Sequence, residues 1–276
     1  MIRRLGAVLL AVLLCGCSAT EFAYNHADTW LRWQGGRYVE LDGAQAEEFD
    51  RRLEAFLAWH RAQALPQYAR LAAEAGARLE RGAARADLVW GYDAIWQQSR
   101  QGLRRAGAEL GDFADRLTPA QIGQIERRFA KLNRSYVREW VEAAPGELRD
   151  RRAKRMVRTL EQWLGELSDA QRERVRQFNE SVPLNGELRD RERRRLQAEL
   201  LAMLRARQAA ARLPDWAAQW DRGREPEFAA ASGAYMVGFF DMLAQLEASL
   251  SARQRLHAVA RLRGYARDFG HLAAAP

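Results

Sequence analysis

Four times along its 276 residues the chain writes the same helix start. Leu41-Asp42-Gly43-Ala44-Gln45, Leu117-Thr118-Pro119-Ala120-Gln121, Leu167-Ser168-Asp169-Ala170-Gln171 and Leu250-Ser251-Ala252-Arg253-Gln254 share Leu-(Asp/Ser/Thr)-x-x-Gln, each ahead of an apolar helical run. The chemistry is that of a capping box. The Asp, Ser or Thr side chain accepts from the backbone N–H three residues on, and the Gln side chain reaches back to the cap's own N–H. Pro119 falls at the first helical position, where a missing N–H costs nothing. The leading Leu stands where a hydrophobic staple belongs, but its usual partner position holds Ile122 in one copy and Arg172 and Arg255 in two others, so the staple is uneven. Spacings of 76, 50 and 83 residues exclude a solenoid period.

Between these starts the 3.6-residue period runs nearly without interruption after residue 41. Phe49, Leu53, Phe56 and Leu57 keep it, as do Ile122, Ile125, Phe129 and Leu132, then Met156, Leu160, Trp163 and Leu167, then Leu196, Leu200, Met203 and Leu204. No segment alternates with period two over a strand's length, and Ala and Arg, both strong helix formers, fill the intervening positions. With 48% hydrophobic and 29% charged residues the composition is globular. The expected fold is all-α, an elongated multi-helix bundle of about eight to ten helices. Breaks are expected near Pro66, Gly111, Pro145-Gly146, Pro183 to Gly186, Pro214 and Pro226. A second repeat, Gly146-Glu147-Leu148-Arg149-Asp150-Arg151, returns 40 residues later as Gly186-Glu187-Leu188-Arg189-Asp190-Arg191. Both copies place an acid in a first helical turn, where the helix dipole favours it.

The N-terminus reads as an address. Arg3-Arg4 precedes an apolar run from Leu5 to Leu14, too short for a membrane-spanning helix of about 20 residues. It ends in Leu14-Cys15-Gly16-Cys17, which resembles the bacterial lipobox. That resemblance implies cleavage before a lipid-modified Cys17, and Ser18 after it implies sorting to the outer membrane, facing the periplasm. Residues 1–16 are then the signal peptide, 17–40 a lipidated tether that docks on the body, and 41–276 a helical domain, with two sub-bundles divided near 145 as an alternative to one. Cys15 would leave with the signal, so no intramolecular disulfide is expected. Trp30 and Trp33 stand close to the anchor, and Trp favours membrane interfaces.

Two family resemblances attach to these motifs. The Leu-Thr-x-x-Gln motif resembles that of the Spy and CpxP periplasmic proteins, small helical dimers linked to envelope stress, of which Spy acts as an ATP-independent chaperone. The broader one rests on Tyr24-Asn25, Leu41 with Gln45, Trp59-His60-Arg61, Leu65-Pro66-Gln67-Tyr68-Ala69, Leu117 to Gln121, and Trp163-Leu164-Gly165-Glu166-Leu167 to Gln171. In that order they resemble an uncharacterised family of proteobacterial lipoproteins, over most of residues 22–180. It implies a lipoprotein and a helical fold, and no activity.

Enzymatic constellations are missing from the sequence: no Gly-x-Ser-x-Gly elbow, no phosphate-cradling glycine loop, no His-Glu-x-x-His. His26, His60, His257 and His271 share no helix face at metal-ligand spacing, so no metal and no cofactor is expected. His60 lies on an apolar face and is either a switch or site residue or a partly buried histidine hydrogen-bonded at a helix end. The charge is carried by 42 Arg and 2 Lys against 36 acids. Arg151, Arg155 and Arg158 form one stripe, and Arg191, Arg194 and Arg195 crowd another helix, a candidate surface for an anionic partner. Interleaved acids offer the alternative of a solvated ion-pair face. Export argues against nucleic acid as the partner. Phe228 to Phe240 carries no charge and is expected to be core, with a client-binding or membrane-lying surface as the alternative.

The preferred function is non-enzymatic: a lipid-anchored protein that binds protein clients or envelope partners through helical surfaces, with Spy-like holdase action as its most concrete form. The alternative is a scaffold or accessory subunit of an envelope complex, or a binder of anionic envelope polymer. A cell-wall hydrolase ranks behind both for want of a motif.

Overall fold

The computed structural model describes residues 19–275, and every regular element among them is helical. The signal peptide and Cys17 lie outside the described residues. Two short helices come first, α1 (Ala19–Asn25) and α2 (Ala27–Gly36). The body follows with α3 (Gly43–Trp59), a π-helical turn (His60–Ala64), α4 (Leu65–Glu80), α5 (Arg85–Asp115) and α6 (Pro119–Trp140). Then come α7 (Pro145–Leu164), α8 (Asp169–Ser181), α9 (Gly186–Arg205), α10 (Ala209–Ala218), α11 (Pro226–Ala248) and α12 (Ala252–Ala274). Ten α-helical segments thus lie beyond residue 41, within the expected all-α class, and the stretch before it is also helical.

All four Leu-(Asp/Ser/Thr)-x-x-Gln motifs form capping boxes, at the starts of α3, α6, α8 and α12. They also pair. Gln121 Nε2 donates to Gln45 Oε1 at 2.6 Å, and Gln121 Oε1 accepts the reciprocal bond from Gln45 Nε2 at 3.2 Å. Gln171 and Gln254 do the same at 3.2 and 2.8 Å. Each Gln oxygen still accepts from its own cap's N–H, so one amide side chain ends a helix and clasps another. Gln121, Gln171 and Gln254 reach further, to the carbonyls of Glu40, Ser249 and Glu166, each just ahead of the opposite motif's Leu. Buried amides are costly unless satisfied, and these are satisfied by one another.

Two apolar cores sit beside the two clasps. The first gathers Phe113, Leu117, Ile122, Ile125, Leu201, Met203, Leu204 and Ala209 from α5, α6, α9 and α10, so it draws on both sides of residue 145. The second gathers Val175, Phe178, Val182, Met242 and Leu246, with Met156, Val157 and Leu160 packed against them. The closest crossing joins α5 to α10. A Cβ at Gly107 would lie 2.7 Å from Pro214 Cα, and one at Gly111 would lie 2.8 Å from Ala209 O and Ala210 Cα. Asp115, ending α5, then caps α10 by accepting from the N–H groups of Ala209 and Ala210 at 2.7 and 3.0 Å.

Three expected breaks are not breaks. Gly111 lies inside the 31-residue α5, where its missing side chain serves the α10 contact. Pro214 lies inside α10. At Pro66 the helix absorbs the proline through the π turn, in which the Leu65 N–H bonds the His60 carbonyl five residues back. Helices do begin at Pro145, Gly186 and Pro226.

The segment from 19 to 40 is pinned to the body. Arg32 Nε pairs with Asp50 at 2.7 Å, Arg61 reaches Asn25 Oδ1 at 3.3 Å, and Glu40 N–H donates to Gln124 at 2.8 Å.

Candidate functional site

A cleft of about 520 Å³ opens where the end of α6, one face of α7, α8, the start of α9 and the middle of α11 meet. Its walls are apolar and aromatic: Tyr136 and Trp140 from α6, Leu148, Met156 and Leu160 from α7, Tyr235 and Phe239 from α11. Its cations are Arg152 and Arg155 from α7 and Arg189 from α9. No Asp or Glu lines it, whereas three further clefts among the described residues each carry at least one acid.

The backbone explains how these groups come together. A side chain at Gly186 would run into the Trp140 carbonyl, so glycine lets the start of α9 press on the end of α6. Gly146, its counterpart in the repeat, faces open space and has no such duty. Arg152 Nη1 donates to the Pro183 carbonyl at 3.3 Å, and its guanidinium stands 5.8 Å from the Tyr235 ring centroid. Neither Arg152, Arg155 nor Arg189 has a carboxylate partner within ion-pair distance among the described residues. Burial holds the Arg152 pKa below the usual arginine value, and repulsion from Arg189 and Arg149 acts the same way. Burial likewise pushes the Tyr136 hydroxyl up. On the inner wall, Asn179 is 1% exposed; its Nδ2 donates to the Val175 carbonyl at 2.8 Å, and its Oδ1 has no partner. Paired with apolar walls, unneutralised guanidiniums suit a ligand with an anionic end and an apolar body.

Of the six arginines singled out from the sequence, only Arg155 lines this cleft. Arg151 pairs with Glu147 at 2.5 Å, Arg191 with Glu225 and Glu227 at 3.2 and 2.6 Å, and Arg194 with Asp190 at 2.7 Å. Arg195 is held between Glu192 and Glu199 at 2.7 and 2.5 Å. Arg158 is exposed, has no ion pair, and lies outside the cleft. Arg152 and Arg189, which matter most here, were not singled out. A signal for Arg152 existed: unlike Arg151, it has no acid three or four positions away to neutralise it on its own helix.

His60 opens the π turn inside an aromatic cluster. Its Nδ1 lies 3.0 Å from the Tyr24 hydroxyl, and its ring centroid stands 5.7 to 5.9 Å from those of Tyr24, Phe56 and Tyr68. Burial lowers its pKa below 6.5. This is the hydrogen-bonded, partly buried reading, though at a π turn within a continuing helix. On α11 the uncharged stretch is divided. Phe228 and Phe240 are buried, while Ala229, Ala230, Gly233, Ala234 and Val237 are exposed. Among the described residues, no three His, Cys, Asp or Glu side chains gather as a metal site, and no helix is long and apolar enough to cross a membrane.

No curated protein and no solved structure matches the chain. Residues 37–216, spanning α3 to α10 and so the first core and most of the cleft, match a family of unknown function. The chain belongs to that family, DUF6279.

Proposed function

We propose that this protein is a lipid-anchored, non-enzymatic binding protein of the outer membrane, facing the periplasm and holding a polypeptide client or envelope partner in the arginine-rimmed cleft. The observation that carries binding is the cleft: three guanidiniums without carboxylates beside aromatic walls form a surface that protein stability alone does not call for. The anchored reading draws on the lipobox-like Leu14 to Cys17 and on the first helices after it. Phe22, Trp30 and Trp33 are 62%, 56% and 58% exposed, large apolar side chains left in water a few residues beyond Cys17.

The scaffold alternative has its own support. A cleft of about 520 Å³ takes one short segment, which suits a defined partner better than a broad unfolded client. An anionic polymer has less, because four of the six sequence-flagged arginines are spent on ion pairs. Labelling cells with a palmitate analogue and comparing the chain with its Cys17→Ala variant tests the anchor; an unlabelled chain overturns it. Crosslinking the same cells and identifying the captured proteins tests the rest. One dominant partner supports the scaffold, a spread of unfolded proteins supports the holdase, and capture of nothing overturns binding.

A further inference from the structure

We propose that the cleft recognises the C-terminal carboxylate of a polypeptide whose last residue is apolar or aromatic, with Arg152, Arg155 and Arg189 as the carboxylate site and the aromatic walls as the side-chain pocket. This deepens the polypeptide-binding reading above and rests on it. The anionic end follows from charge. Three arginines stand in the lining with no acid beside them, and a carboxylate matches the planar fork of an arginine with two parallel N–H···O bonds. The Arg152 guanidinium is half-buried and feels its like-charged neighbours Arg189 and Arg149, a situation that an incoming anion relieves.

The body of the ligand follows from the walls. A hydrocarbon tail would ask for a lining without polar groups, yet this one is punctuated by them. Tyr136 and Tyr235 bring hydroxyl-bearing rings to the lining, and Asn179 Oδ1 is a buried acceptor without a donor. A peptide end supplies what a fatty acid lacks, an amide N–H within a few bonds of the carboxylate. Oδ1 is closed from water by its neighbours, and the flexible Met156 thioether, whose sulfur is 3.6 Å from Asn179 Nδ2, is the side chain that yields to admit the N–H. The aromatic rings give a Phe or Leu side chain its stacking and apolar contacts.

The test titrates the full chain with a fluorescent hexapeptide ending in Phe, as free acid and as C-terminal amide, beside laurate and inorganic phosphate. The free acid should bind at least about tenfold tighter than the amide, a ratio that one lost charged hydrogen bond accounts for. Arg152→Gln should weaken the acid by a similar factor and bring the acid-to-amide ratio close to one. Should Arg152→Gln misfold, the exposed rim variants Arg155→Gln and Arg189→Gln, together, must give the same selective loss with unchanged helix content. Equal affinity for acid and amide, or laurate or phosphate displacing the peptide stoichiometrically at lower concentration, overturns the assignment. A partner captured in cells whose capture survives Arg155→Gln with Arg189→Gln would keep the binding reading and overturn this one.

Discussion

At the residue scale the glutamines carry the most. Each closes a capping box within its own chain segment and clasps the glutamine of a helix start 76 or 83 residues away. The box was legible in five residues, because its chemistry is local. The clasp was not, because nothing in Leu-Ser-x-x-Gln says which copy faces which. Gln171→Ala and Gln254→Ala should each cost about 1–3 kcal/mol, since each leaves a buried amide short of a partner. The double variant should cost clearly less than both losses added, and urea unfolding of the four chains measures it; strict additivity would show that the clasp is not an interaction. His60 gives a second prediction. Its folded pKa lies below the ordinary 6.5 because the ring is buried, so the unfolded chain binds the proton more readily. Its contribution is full above pH 6.5 and is lost as pH falls toward the folded value. The neighbours that face it are the Tyr24 and Tyr68 rings, with Arg61 stacked over Tyr24. Unfolding midpoints at pH 7.5 and 5 should therefore fall further for the parent chain than for His60→Gln; parallel falls would contradict this.

At the scale of elements, the four capping boxes and the breaks at Pro145, Gly186 and Pro226 do mark helix starts, while α1 and α2 stand where a tether was expected. Pro66, Gly111 and Pro214 are local breakers, and each is overruled by packing or by a π turn. The glycines of α5 show how context sets the sign. Gly102 has open space around a Cβ, whereas Gly111 faces the backbone of Ala209 and Ala210. Gly102→Ala should stabilise by about 0.5–1 kcal/mol through helix propensity. Gly111→Ala should destabilise by about 1–3 kcal/mol through overpacking against α10. Thermal unfolding of the two variants should move in opposite directions, and a common direction would contradict the close crossing. Arginine roles were the least legible. Arg191 stood in a basic run that read as either an anionic-partner surface or an ion-pair face, and Glu225 and Glu227, 34 and 36 residues on, neutralise it. Arg189 became important through the fold alone, which brings the start of α9 beside α7.

For the whole molecule, the family match ends at residue 216, but the second core does not. Met242, Leu246 and Gln254 come from α11 and α12 and complete the packing of Val175, Phe178 and Gln171. A chain ending at 216 should keep its helix content around the first core and expose the second, bind a hydrophobic dye, and be cleaved by protease within α8. A dye-silent, protease-resistant truncation would contradict the two-core account. Tyr235 and Phe239 belong to the same C-terminal part, so the truncation also removes one wall of the cleft. The central claim is that this cleft holds a segment of another polypeptide, and the most direct measurement is site-specific photocrosslinking in living cells. A photoreactive residue at Thr159, on the cleft wall, should yield a discrete polypeptide adduct, while one at Leu256, exposed on α12, should not. Adducts of equal yield from both positions, or none from Thr159, would contradict the account.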